Sequence, residues 1–227
     1  MAAASLRRAE GSQPGDVPGD ALTPLPRSFY RRSTVDLAAA LLGQLIVRTW
    51  EDGTFATGAI VETEAYGGPD DRASHARSGP TRRNRVMFGP PGHAYLYRVY
   101  GLHTCLNVVG AADGEIGAVL VRAVLPIAGA ERLQANRRRP GRSDPRCERV
   151  AAGPGNVGAA FDLGLGLDGH DLTEPGELWL AAGVVAGAVV VGPRIGVAYA
   201  GLPGSLRPWR FGIDRSPALS RPFPAGA

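Results

Sequence analysis

AYLYRVYGLHTCLNVVG, residues 94–110, is the stretch on which the reading of the fold turns. Aromatic and β-branched residues alternate with smaller or polar ones on both sides of Gly101, the pattern of two short strands joined by a tight turn. After the ADGE turn at 112–115, AVLVRAVLP (118–126) reads as a third strand. Upstream, QLIVRTW (44–50), the turn EDG and TFATGAIVETE (54–64) read as a β-hairpin. Before it, Ser33 is a helix N-cap with Asp36 three residues on, and the helix should end near Gly43. A short helix capped by Asp70 or Asp71 is predicted in PDDRASHARSG (69–79), and further helices at 128–138 and 155–162. VAGAVVVG, RIGVAYA and WRFGI look like C-terminal strands. Strand pairs joined by tight turns, with helices grouped between them, predict an α+β fold: a single domain with a curved, mainly antiparallel sheet.

The same stretch poses a chemical question, because three of the chain's 6 tyrosines, Tyr95, Tyr97 and Tyr100, surround Arg98. Tyr95 and Tyr97 share a face of a strand, which suits core packing as well as a binding wall. Nearby, Glu62, Glu64 and Tyr66 share a face if their strand is regular. The two glutamates then stand roughly 6.5–7 Å apart at Cα, close to the separation of the carboxylates in an inverting glycosidase. Paired acids on a strand are more often a solvated edge.

Charge points to a partner. All 25 basic residues are arginine, so no side-chain amine is available for a Schiff base. From Arg72 to Ala112 there are six arginines, at 72, 77, 82, 83, 85 and 98, and no acid; from Arg132 to Arg149 there are seven, against Asp144 and Glu148. Two such blocks in a chain of net charge +4 favour a polyanionic partner. Residues 1–26 lack apolar periodicity and read as a disordered leader, not a signal peptide, since Arg7, Arg8 and Glu10 occupy the place of an apolar core. Leu178–Val191 is too short and glycine-broken to span a bilayer. Cys105 and Cys147 form no CxxC pair and the histidines no ligand spacing, so neither a redox pair, a metal nor another cofactor is expected. No GxGxxG or Walker loop follows a strand.

Residues 61–107, with ETEAY, HAR, RNRxMFG, YxYxxYG and CxN in that order, resemble the alkyladenine (3-methyladenine) DNA glycosylase family without a helix-hairpin-helix. LGQLIVR, VRAVLP, GPGN, RIGV and RPWRF extend the resemblance over about residues 27–217, leaving a tail from 218 to 227. The resemblance implies a monofunctional enzyme of base excision repair. It would flip alkylated or deaminated purines out of duplex DNA and hydrolyse the N-glycosidic bond; a non-catalytic damaged-DNA-binding protein is the alternative. Glu64 matches the general base, with Arg122 and the main-chain carbonyl of Ile195 helping to hold its water. Tyr66, His75, Tyr97 and Met87 match the pocket, and Asn107 the gate against normal guanine. Tyr100 matches the wedge that fills the stack, and Arg83, Asn84 and Arg85 a phosphate-contacting loop. Tyr95 has only a packing role in the pattern. Asn156 departs from a common Lys and Thr104 from a common aromatic. A cytoplasmic, nucleoid-associated monomer with damaged double-stranded DNA as its partner is the corresponding expectation.

Overall fold

The computed structural model describes residues 22–110, 112, 114–184 and 187–224. In chain order it contains helices α1 (Arg27–Tyr30) and α2 (Thr34–Ala40) and strands β1 (Leu45–Thr49), β2 (Phe55–Tyr66), β3 (Ala94–Val99), β4 (His103–Val109) and β5 (Ala118–Ala128). There follow α3 (Ala130–Arg137), β6 (Ala151–Ala152), α4 (Pro154–Ala160), β7 (Leu178–Ala181), β8 (Val189–Gly192) and β9 (Arg210–Ile213). The strands form one sheet in the order β3-β4-β5-β2-β1-β7, with β6 on β5, β9 on β2 and β8 on β9. Every pairing is antiparallel. The α+β architecture with a curved antiparallel sheet is therefore the observed one.

The curl originates in β2. Its first half pairs with β1 (Thr49↔Phe55 to Leu45↔Ala59) and its second half with β9 (Glu62↔Gly212 to Glu64↔Arg210), while β5 runs along its other side. The β2–β5 register shifts once between Thr57 and Gly58 and then twice in succession beside the glutamates: Ile60 faces Val124, Glu62 faces Ala123 and Thr63 faces Val121. Val61 and Arg122 are thus the unpaired residues of consecutive bulges, which bend a strand and re-aim its side chains. The core lies between this sheet and the helices, where Leu37, Leu41, Ile46, Ile60, Leu106, Leu133 and Phe161 are all fully buried.

The hairpins at 45–66 and 94–109, the third strand and helices α2 to α4 stand where the sequence predicts them. Ser33 caps α2, its Oγ accepting the Asp36 N–H at 3.2 Å. Two elements differ. PDDRASHARSG carries only a 3₁₀ turn, His75–Ser78, capped by Ser74, because Asp71 is turned inward to Arg194 and cannot cap. RIGVAYA is not a strand: Arg194 is drawn to Asp71, Gly196 has φ 78°, and a 3₁₀ turn follows at Ala198–Ala200. Of the VAGAVVVG segment, residues 185 and 186 lie outside the described residues, and β8 occupies its end.

The packed unit is also wider than 27–217. Residues 1–21 of the expected leader lie outside the described residues, but Leu25 is buried and donates its N–H to Leu180 O, and Trp179 Nε1 donates to Leu22 O. These residues bury apolar surface on β7, which is why they are ordered. At the other end Ala218 is fully buried and Ser220 reaches into the sheet. Among the described residues no helix is long and apolar enough to cross a membrane.

Helix α4 lies unusually close to β4. A Cβ added at Gly158 would stand 1.9 Å from the Thr104 carbonyl oxygen, so only glycine permits this approach. Gly158→Ala is expected to lose stability at the upper end of the about 1–3 kcal/mol typical of overpacking. Urea unfolding of the variant beside the native chain checks this.

Candidate active site

Alternation along β2 presents Glu62, Glu64 and Tyr66 on one face, and the bulge in β5 brings Arg122 across from them. Arg122 Nε donates to Glu62 Oε1 at 2.9 Å and Nη1 to Glu64 Oε2 at 3.1 Å. Both carboxylates are fully buried, and Arg122 is 6% exposed. Burial opposes the charge on Arg122, yet Glu64 and Glu62 outweigh it and hold its pKa above the ordinary arginine value.

The two glutamates have different surroundings. Glu62 accepts from Arg122, from Arg210 Nε at 2.8 Å, and from the N–H and Oγ of Ser220 at 2.6 and 2.8 Å. Three of these donors meet Oε1 and one meets Oε2, so the carboxylate is held between two arginines and the Ser220 segment. Glu62 is therefore a buried anchor for two arginines. Glu64 accepts from Arg122 and the Tyr66 hydroxyl (2.8 Å) on Oε2, and from the Ile195 N–H (2.7 Å) on Oε1. One acceptor site remains on Oε1. The group of Ile195 that touches Glu64 is its amide.

Beside Glu64 opens a cavity lined by Tyr66, Ala73, His75, Met87, Tyr95, Tyr97, Asn107, Ala118 and Tyr199. Tyr66 and Tyr97 supply aromatic faces, and the His75 ring meets Tyr97 edge-on, centroids 4.6 Å apart. His75 Nδ1 is 2.9 Å from the Tyr95 hydroxyl. Burial lowers the imidazole pKa, with Arg83 and Arg77 adding to the effect, so the ring is neutral at pH 7. Burial pushes the Tyr95 phenol up to about 12, and the hydroxyl keeps its proton. Asn107 is buried, its Nδ2 donating to Tyr95 O at 3.1 Å. Met87 is buried and packs with Tyr95 and Ala118 in the cavity lining.

Behind Tyr66 stands a second ion pair. Arg194 Nη1 and Nη2 grip Asp71 Oδ2 and Oδ1 at 2.6 and 2.8 Å, and the guanidinium lies 4.8 Å from the Tyr66 ring centroid and 5.1 Å from that of Trp209. Asp71 also accepts the Gly67 and Ala73 N–H groups, and Arg194 donates to Ala65 O and Gly204 O. This cluster fixes the end of β2 and the segment that aims the Ile195 N–H at Glu64.

At the tip of the hairpin that carries Tyr97, Tyr100 and Gly101 form the β3–β4 turn with φ of 52° and 68°, closed by Leu102 N–H to Val99 O. Two consecutive left-handed residues match the twist of a hairpin. Glycine adopts that conformation freely, whereas a bulky residue there is strained, and such strain clusters at functional sites. Tyr100 is 91% exposed. The expected phosphate loop divides. Arg83 and Arg85 are exposed, Arg83 lying 5.3 Å from the Tyr97 ring centroid. Asn84 is 3% exposed and faces inward: its Oδ1 accepts the Thr81 hydroxyl at 2.8 Å, and its Nδ2 donates to His75 O and Gly79 O. Its amide shapes the loop and is not presented to a ligand, because the turn's own carbonyls claim it.

The family model of methylpurine-DNA glycosylase matches residues 28–217, a span that contains this whole cavity. The chain belongs to the methylpurine-DNA glycosylase family. It is similar to proteins named "Putative 3-methyladenine DNA glycosylase" in several organisms. One from Methanocella arvoryzae is 46% identical over 203 residues, covering 88% of this chain and 97% of that protein. One from Streptomyces avermitilis is 44% identical over 202 residues, 87% of this chain and 91% of that protein. One from Nitrosococcus oceani is 42% identical over 196 residues, 86% and 92% respectively. In this methylpurine-DNA glycosylase family member, Tyr66, His75, Tyr97, Met87 and Asn107 line the cavity, Glu64 joins it through the Tyr66 hydroxyl and is held by Arg122 and Ile195, and Tyr100, Arg83 and Arg85 are exposed. Sequence reasoning gave Tyr95, which holds His75, only a packing role, took Asp71 as a candidate helix cap, and passed over Arg194 and Ser220. Only Tyr95 carried a signal, its position i−2 to Tyr97 on one strand face.

Proposed function

We propose that the chain is a monofunctional glycosylase that flips an alkylated or deaminated purine out of duplex DNA and hydrolyses its N-glycosidic bond. The observation that carries this reading is the juxtaposition of the aromatic cavity with Glu64, whose carboxylate is oriented by Arg122, Tyr66 and the Ile195 N–H and keeps one free acceptor site. A water donating to that site would be held for attack at C1′. Glu64 would take its proton as general base, and its charge would stabilise the oxocarbenium-like sugar as the purine leaves. Tyr66 and Tyr97 would stack on the base, gaining a cation–π component when it is cationic. A Tyr95 hydroxyl donating to Nδ1 leaves the proton of His75 on Nε2, a donor for the purine edge. Attack by water and not by an amine is supported by the lysine-free sequence. The family domain, residues 27–217 together with its packed ends, would act as a monomer on damaged DNA at the nucleoid.

A duplex carrying one hypoxanthine or one 3-methyladenine-type lesion tests this. Chromatography should find the free base while the strand stays intact until alkali is added. An intact base, or a strand nicked without alkali, would sink the reading. Tyr100, as the wedge, would fill the vacated stack. Tyr100→Ala is expected to lose about 1–3 kcal/mol of stacking, or about 5- to 150-fold in lesion affinity. Fluorescence anisotropy on the same duplex measures the loss.

A further inference from the structure

The second arginine block is not a diffuse solvated face. The C-terminal end of α3, the loop after it and the start of β4 enclose an open basin of about 420 Å³, lined by His103, Arg137, Arg139, Arg142, Ser143 and Asn156. Its one acid, Asp144, is paired with Arg138 at 3.2 Å. Among the described residues, the Arg137, Arg139 and Arg142 guanidiniums have no carboxylate within salt-bridge reach. Arg137 Nε is buried with no hydrogen-bond partner, so the fold leaves a desolvated donor unmet. Such a group carries a desolvation penalty until an acceptor arrives. Burial and the neighbouring Arg139 both press the Arg137 pKa downward, which an anion would relieve.

The position of the basin says which anion. His103 forms one wall and opens β4, three residues after Tyr100, so the wedge lies within about 11 Å of it along the chain. Its ring packs on the start of α4, where a Cβ at Gly155 would come within 3.0 Å. The exposed Arg83, by contrast, lies against Tyr97 of the lesion cavity, its Nη2 3.4 Å from the Arg98 carbonyl. We infer that the Arg137–Arg139–Arg142 basin is a second phosphate-binding site, which takes a backbone phosphate of the duplex beside the Tyr100 turn. This rests on the glycosylase reading only for the identity of the polyanion. Contacts of this kind position the duplex and carry no sequence information.

The test is the salt dependence of binding to the lesion duplex for the native chain and for Arg139→Gln/Arg142→Gln, two exposed positions whose loss leaves the buried Arg137 in place. Each phosphate contact removed should lower the slope of log K against log salt by about 0.9. The double variant is expected to lose at least one such step, and the Arg137→Gln single variant should show the same loss. Equal slopes for all three chains would overturn the proposal. Stabilisation of the native chain alone by inorganic phosphate, with equal duplex slopes, would overturn it too, making the basin a small-anion site. Base release is read separately on the same samples. A changed slope without release would sink the glycosylase reading and leave the site standing, while unchanged slopes with normal release would sink only the site.

Discussion

Glu64→Gln is expected to abolish base release, by about 100- to 10,000-fold, the range over which a positioned general base acts. The geometry explains why so small a change should matter. Glu64 sits among donors only: Arg122, the Tyr66 hydroxyl and the Ile195 N–H all point at its oxygens. An amide offers one oxygen where two are needed, so its NH₂ must face either the Ile195 N–H or the Arg122–Tyr66 pair. The variant would therefore lose the basic oxygen and misalign the water site together. Binding should survive, because Glu64 is fully buried while the expected DNA contacts Tyr100, Arg83 and Arg85 are exposed. Removing a negative charge beneath a polyanion does not weaken its attraction. Single-turnover release measured at saturation separates the two effects.

The second large effect is structural and begins 7 residues along the chain. Asp71→Asn should destabilise the fold by about 3–5 kcal/mol, since breaking a buried ion pair leaves its partner uncompensated. Against a usual total of about 5–15 kcal/mol this is severe. Asp71 is 2% exposed and Arg194 is 5% exposed. Burial raises the Asp71 pKa, but the hydrogen bonds and charge of Arg194 prevail and hold it below the ordinary carboxylate value. The sign of the pH effect follows. With a folded pKa below the unfolded value of about 3.9, the stabilisation is present above that pH and is lost as pH falls through the folded pKa. Native and variant stabilities, measured by urea unfolding, should differ most near neutrality and converge below about pH 4. The folded fraction of the variant should also release base more slowly, because Arg194 backs Tyr66 and sets the segment that carries the Ile195 N–H.

These two expectations show what was legible in the sequence. Strands β1 to β5 were readable because their side chains alternate and their turns carry glycine, both local properties. Glu64 with Tyr66, and Tyr95 with Tyr97 and Tyr100, could be singled out because they are neighbours in the chain, but their assignment to a base and a pocket came through the resemblance. Arg122 could be named only through the resemblance. Its reach to both glutamates depends on a bulge, which arises from how β5 pairs with β2 and has no local signature in VLVRAVL. RIGVAYA has strand-forming residues, yet a tertiary contact, Arg194 with Asp71 at 123 residues' separation, overrides that propensity. Ser220 closes on Glu62 across 158 residues, so nothing near either position announces the contact. Asn84 was misplaced for a related reason. The resemblance placed it in the phosphate-contacting loop with Arg83 and Arg85, and only the turn geometry reveals that neighbouring carbonyls hold its amide.

The most direct test of the central claim, that the aromatic cavity and Glu64 together form a hydrolytic centre, is single-turnover base release from one lesion duplex by native chain and Glu64→Gln, each at an enzyme concentration that saturates binding. The account predicts first-order release by the native chain, at least about 100-fold slower release by the variant, and affinities within a few-fold of each other. Equal release by both chains would remove Glu64 from the chemistry. Salt-sensitive binding by both with release by neither would contradict the account, and would make the chain a damaged-DNA-binding protein instead.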